Sequence, residues 1–207
     1  WPLFVTAFAG ANAEVLGLID GLGDAIVSIS QAGSGYVSDR IRRRKVFVWL
    51  GYLFGSASRI GYALSTVWQH LIPFRILDRS GKMRGAPRDA IVADISTDDN
   101  RGRNFGILRA LDNLGAVFGI LTCLAFTSAF GLGFLQTLFL LASVPSLVGA
   151  ALVFVFIHDR KTNKLYKGLA LKDLTYNFKL FLFLSSVFAL GSFSYSFLLL
   201  YVRDTGF

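Results

Sequence analysis

Apolar residues in this chain come in long runs separated by short polar stretches, and the runs match the thickness of a bilayer. A helix crosses the hydrocarbon with about 20 residues. The stretches 14–38, 46–67, 104–129, 133–157 and 178–201 each reach that length, and residues 1–11 read as the tail of a further helix. The stretch 71–94 differs, because it carries Arg75, Asp78, Arg79, Lys82, Arg84, Arg88, Asp89 and Asp94. Hydropathy alone makes it a loop.

The positions of the cations argue otherwise, because Lys and Arg are held back on the cytoplasmic side of a membrane. Three clusters should lie there: Arg40, Arg42, Arg43, Arg44 and Lys45; Arg101 and Arg103; and the series from Arg160 to Lys179. The connections near 9–13, 65–70 and 130–133 contain no Lys or Arg. The sides alternate only if 71–94 crosses as well. That stretch is therefore predicted as a spanning helix, shielded from lipid by a bundle interior or a watered cavity.

Composition agrees with a membrane protein. Of 207 residues, 54% are hydrophobic and 16% charged, too apolar for an ordinary soluble domain. The net charge of +8 comes from cations gathered between apolar runs, so it reads as topology and not as a nucleic-acid surface. Cys123 is the one cysteine and lies within an apolar run, which excludes an intrachain disulfide and a thiol metal site. The chain starts at Trp1, has Met83 as its sole methionine and stops at Phe207 after an apolar run. Sequence is expected to be missing at both ends.

Placing ionisable residues by depth, at about 1.5 Å per helical residue, groups them into layers. Asp20, Arg59 and Arg75 share one level, Asp24, Asp78, Arg79 and Asp112 lie near the middle, and Lys82 and Arg109 are deeper toward the cytoplasm. Asp20, Asp24 and Gln31 form a polar stripe on one helix face. Buried carboxylates of this kind suit proton relay or substrate contact, while a static pair with Arg59 or Arg75 is the structural alternative for Asp20. Arg75, Arg79 and Arg109 present planar forks suited to a carboxylate or phosphate, with pairing to Asp78 and Asp112 as the alternative. Glycines four apart, at 17 and 21, 51 and 55, 81 and 85, and 115 and 119, let membrane helices approach closely.

The stretch Gly35, Asp39, Arg40, Arg43 and Arg44 resembles the major facilitator superfamily signature G-x-x-x-D-R-x-G-R-[RK], with Arg42 where the family usually has glycine. Arg75, Asp78 and Gly81 look like a variant of its fourth-helix motif, and Ala-Pro-Arg-Asp-Ala at 86–90 followed by Arg-Gly-Arg at 101–103 resembles a prokaryotic branch. A Gly-Pro antiporter pattern is absent from 115–119.

The resemblance implies an all-α polytopic bundle running from the tail of the first helix to the seventh. Residues 1–158 would form the N-terminal bundle, 159–177 a cytoplasmic linker, and 178–207 the first helix of a C-terminal bundle whose remainder is missing. In this superfamily two six-helix halves rock about a midplane site. It implies a multi-pass protein of the cell membrane that moves a small solute, with H⁺ as coupling ion, and a cytoplasmic gate motif at Gly35, Asp39, Arg40, Arg43 and Arg44, in which Asp39 with Arg40 and Arg43 forms the gate.

Two other classes of function fit parts of this pattern. One is a non-transporting sensor or assembly factor on the same scaffold. The other is an intramembrane aspartyl protease, suggested by the G-x-G-D string at 21–24. That chemistry needs a second carboxylate sharing a proton, and no Tyr-Asp pair is present to supply it. No nucleophile elbow, phosphate loop or H-E-x-x-H occurs, and His70 and His158 stand alone. No enzymatic activity, cofactor or metal is expected.

Overall fold

The computed structural model describes residues 4–8, 12–159, 174–191, 196, 198, 201 and 202. The protein is an all-α bundle. After a π-helical turn at Phe4–Phe8 come α1 (Ala13–Ile41), α2 (Arg44–Leu64), α3 (Trp68–Gly81), a 3₁₀ turn (Lys82–Arg84) and α4 (Gly85–Ile95). They are followed by α5 (Arg101–Phe130), a 3₁₀ turn (Leu132–Phe134), α6 (Leu135–Phe156) and α7 (Tyr176–Leu190). The predicted linker at 159–177 and the tail at 1–11 lie largely outside the described residues. The run 178–201 is interrupted, since α7 ends at Leu190 with Gly191 as its cap.

Local sequence explains the boundaries. Asn12 starts α1 by accepting from the Val15 amide at 2.9 Å, which satisfies one orphan donor of the first turn. Arg42 ends it at φ 57° and ψ 30°, in the left-handed region. The charged stretch is helical throughout 68–95, as α3, one 3₁₀ turn and α4.

That 3₁₀ turn lies where α2 comes closest. A Cβ on Gly51 would stand 2.6 Å from both the Arg84 Cβ and the Gly81 carbonyl, and one on Gly81 would stand 2.9 Å from the Gly51 carbonyl. Bare backbones therefore meet at this crossing, as small-residue stripes allow. The other glycine pairs differ: a Cβ at Gly21, Gly115 or Gly119 would touch nothing within 4 Å. Their spacing was legible, but no described neighbour packs on those faces.

Helix α2 sits at the centre, packed mainly against α6 and α3. The seam with α6 is fastened at three levels. Gln136 Nε2 donates to the Ser65 carbonyl at 2.9 Å at one end, Arg59 donates to Ser146 Oγ midway, and the Lys45 amide donates to Asp159 Oδ1 at 2.9 Å at the other. A buried apolar cluster of Phe4, Val5, Leu16, Ile19, Tyr62 and Leu71 closes the end of the bundle opposite Arg44. Helices α5 and α6 are each long and apolar enough to cross a membrane. Phe118 on α5 is 67% exposed and no residue of α5 is buried, a surface that hydrocarbon solvates without penalty.

Candidate functional site

The α1–α3 seam holds the first group of charges. Arg75 Nη2 donates to Asp20 Oδ1 at 2.6 Å, with both side chains buried. Asp20 Oδ2 also accepts from Ser196 Oγ, beyond α7. One turn along α3, Asp78 lies 4.0 Å from Arg75 and accepts from Ser58 Oγ of α2 at 3.4 Å. Another step along, Arg79 Nη1 lies 3.6 Å from Asp24 Oδ1. Buried charges need such partners, because each costs at least a few kcal/mol in hydrocarbon even on lenient scales.

Gly23 makes this arrangement possible. A Cβ there would stand 3.1 Å from Arg79 Nε and 3.5 Å from Arg75 Nε. The missing side chain thus lets both guanidinium stems lie against α1. Asp24 itself is 69% exposed at the side chain, and Arg79 Nε is buried without a hydrogen-bond partner among the described residues.

A second group lies between α4 and α5. Arg88 reaches both carboxylate oxygens of Asp112 at 3.1 Å. Arg109 donates to Asp89 at 2.7 Å and lies 3.7 Å from Asp112. Depth had put Asp112 level with Asp24 and Arg79, yet its partners are Arg88 and Arg109. Arg88 and Asp89 are the pairing residues that depth layering passed over, although Arg-Asp at 88–89 opposite Arg109 and Asp112 is a readable charge complement. Arg59 also departs from its layer. It follows Ser58 by one residue, about 100° around α2, so Ser58 faces Asp78 while Arg59 turns to Ser146 on α6.

A third group closes the end near the α1–α2 turn. Arg44 donates to Asp39 at 2.9 Å, to the Ala90 carbonyl at 3.0 Å and to Asp94. Within the predicted gate motif it is Arg44 that pairs with Asp39 and ties α1 to α4, while Arg40 and Arg43 make no ion pair among the described residues. Gly35 and Ser34 bring the same elements together. A Cβ on Gly35 would stand 3.3 Å from the Ala86 Cβ, and Ser34 Oγ donates to the Met83 carbonyl at 2.7 Å.

Comparison with known proteins decides what these groups belong to. The family model described as Major Facilitator Superfamily matches residues 1–207. The chain belongs to the major facilitator superfamily. Its relatives within reach of sequence comparison include the uncharacterized MFS-type transporter MJ1317 of Methanocaldococcus jannaschii, 36% identical over 205 residues, covering 98% of this chain and 51% of that protein. An uncharacterized protein of Mycobacterium tuberculosis is 30% identical over 164 residues, 75% of this chain and 37% of its own length. The uncharacterized MFS-type transporter YqjV of Bacillus subtilis is 24% identical over 132 residues, 61% of this chain and 31% of that protein. The chain spans about half the length of the first of these relatives, and less of the others.

Membership in the superfamily makes this a membrane protein of a transporter family, which points away from an enzyme. It also explains Arg42. The superfamily signature usually has glycine at that position, and the backbone there takes the left-handed conformation glycine favours. Arg42 adopts it at the steric cost a Cβ carries.

Proposed function

We propose that this chain is the N-terminal part of a secondary active transporter that moves a small solute by alternating access and couples that movement to H⁺. Residues 1–158 form the first bundle, 159–177 the linker and 178–207 the start of the second, whose other helices complete the site. The protein sits in the cell membrane with the 40–45, 101–103 and 160–179 segments on the cytoplasmic side. The observation that carries the reading is the α1–α3 seam, where Asp24 and Arg79 pair loosely midway along helices of a superfamily member.

In this reading Asp24 is the coupling carboxylate. Protonation removes its charge and releases Arg79; deprotonation restores the pair. Asp20 and Arg75, buried and 2.6 Å apart, hold the two helices together. Arg44, bridging Asp39 and Asp94, acts as the cytoplasmic gate: it fastens α1 to α4 until the bundles part. The α4–α5 group of Arg88, Asp89, Arg109 and Asp112 is structural.

Reconstituting the full-length protein in vesicles with an imposed pH gradient tests this. Solute flux that follows the gradient, and that loses its pH dependence in Asp24→Asn, is the expected result. A protein that carries no solute under any gradient sinks the transport reading and favours a sensor on the same scaffold.

A further inference from the structure

The interior charges do not balance. Away from the ends of the bundle, α2 and the 68–84 stretch carry Arg59, Arg75, Arg79, Lys82 and Arg84 against Asp20, Asp24 and Asp78 on α1 and α3. Arg59 and Arg84 meet neutral groups, which leave their charge uncompensated. Arg59 donates to Ser146, and Arg84 donates to the Gly81 carbonyl and lies 4.9 Å from the centre of the Tyr52 ring.

Lys82 has neither kind of contact among the described residues, and it is exposed. It follows Arg79 by three positions, so it stands on the same face one turn along. Helix α1 runs beside both. Asp24 meets Arg79, and Gln31 Nε2 lies 3.2 Å from where a Gly85 Cβ would be. Lys82 therefore falls between these two contacts, midway along the 68–95 helical track.

Arg79 is itself incompletely satisfied. Its Nε is buried without a partner, and its one carboxylate stands at 3.6 Å, beyond the 2.7–2.9 Å typical of a charge-assisted hydrogen bond. Asp78, one turn before Lys82, is shared with Arg75 at 4.0 Å, and Arg75, Arg79 and Arg84 all bear on Lys82, so the two adjacent cations have only loose or shared counter-ions and make a receptor for negative charge.

We propose that the transported solute is an anion carrying a carboxylate or phosphate, bound by Arg79 and Lys82 in competition with Asp24. This rests on the transport reading and names its substrate class. The guanidinium supplies a planar fork for two oxygens and the ammonium a point charge. An arriving anion takes the place of Asp24 on Arg79 and leaves that exposed carboxylate to solvent.

The test is thermal unfolding of the detergent-solubilised full-length protein at fixed ionic strength. The probes are sodium succinate and sodium phosphate, set against succinamide, choline chloride and phosphatidylglycerol. Succinate or phosphate is expected to raise Tm in a saturable way, as a ligand of the native state must. Lys82→Gln is expected to raise the half-saturating concentration about tenfold or more, and Lys82→Arg to leave it nearly unchanged. Lys82 is exposed, so neither variant threatens folding. Protection by choline, succinamide or phosphatidylglycerol alone, no protection by either anion, or anion protection indifferent to Lys82→Gln overturns the proposal. Proton-driven flux of a neutral or cationic solute would keep the transport reading and remove this one. Anion protection without flux would remove the transport reading, and with it the anion as a carried solute, while keeping Arg79 and Lys82 as an anion-binding site.

Discussion

The α1–α3 and α4–α5 charge groups use the same residue types to opposite ends. Between α1 and α3, Arg75 and Asp20 are buried at 2.6 Å while Asp24 reaches Arg79 only at 3.6 Å, across a helix face that Gly23 leaves open. Between α4 and α5, two arginines and two carboxylates balance one another, and Arg109 is 55% exposed. The first group has three carboxylates for two arginines, and only with the neighbouring Arg59, Lys82 and Arg84 does the bundle interior carry five cations against three carboxylates; the second group is neutral and half in the open. A bundle can hold charge to fasten helices or to bind something else, and the counter-ion tally separates the two uses.

Several substitutions would break or sharpen that contrast. The largest effect is expected from Arg75→Gln, which strands the buried Asp20 carboxylate. Such an orphaned partner costs about 3–5 kcal/mol. Unfolding of the full-length protein should show it, and the double variant Asp20→Asn with Arg75→Gln should recover a large part. If the double variant is as unstable as the single one, the pair is not what holds α1 to α3.

Next comes the α2–α3 crossing, where backbones touch at Gly51 and Gly81. Gly51→Val forces them apart, and overpacking of this kind costs about 1–3 kcal/mol. Gly119→Val on α5, where a Cβ would meet nothing, should leave the unfolding midpoint close to that of the parent. Equal losses at both positions would show that the crossing is looser than its geometry.

The smallest stability effect is expected in the open group. Arg109→Gln removes a pair exposed by more than half on the arginine side, worth at most about 1 kcal/mol, and flux should be retained. Asp112→Asn should likewise keep pH-dependent flux, in contrast to Asp24→Asn. A loss of pH dependence in Asp112→Asn would move the coupling carboxylate from the first group to the second.

How far the sequence carried these conclusions depends on what kind of coordinate was asked for. The alternation of cationic and uncharged connections identified 71–94 as a helix against its hydropathy, and 68–95 is helical throughout. Depth along each helix was equally readable, since it needs only residue counting, and it set Asp20 level with Arg75 and Asp24 level with Arg79. Azimuth was not readable. Each residue turns the helix by about 100°, so Arg59, one position past Ser58, leaves the seam altogether, and Asp112 shares a level with Asp24 while facing Arg88. Which face a helix shows to which neighbour is set by packing of the whole bundle. The glycines show the same limit: their four-residue spacing was plain at 51 and 55 and at 115 and 119, but the structure brings backbones together only at the first.

The three fastenings between α2 and α6 carry a mechanical consequence. A helix leaves four amides and four carbonyls unpaired at its ends, groups that hydrocarbon punishes. In α2 the Lys45 amide is closed by Asp159, just past the end of α6, and the Ser65 carbonyl by Gln136 in the first turn of α6. With its two ends stitched to its neighbour and Arg59 pinned to Ser146 between them, α2 cannot slide or tilt alone. The pair behaves as a splint, a stiff spar against which α1, α3 and α4 can shift, and its amide protons should be the last of the bundle to exchange with solvent.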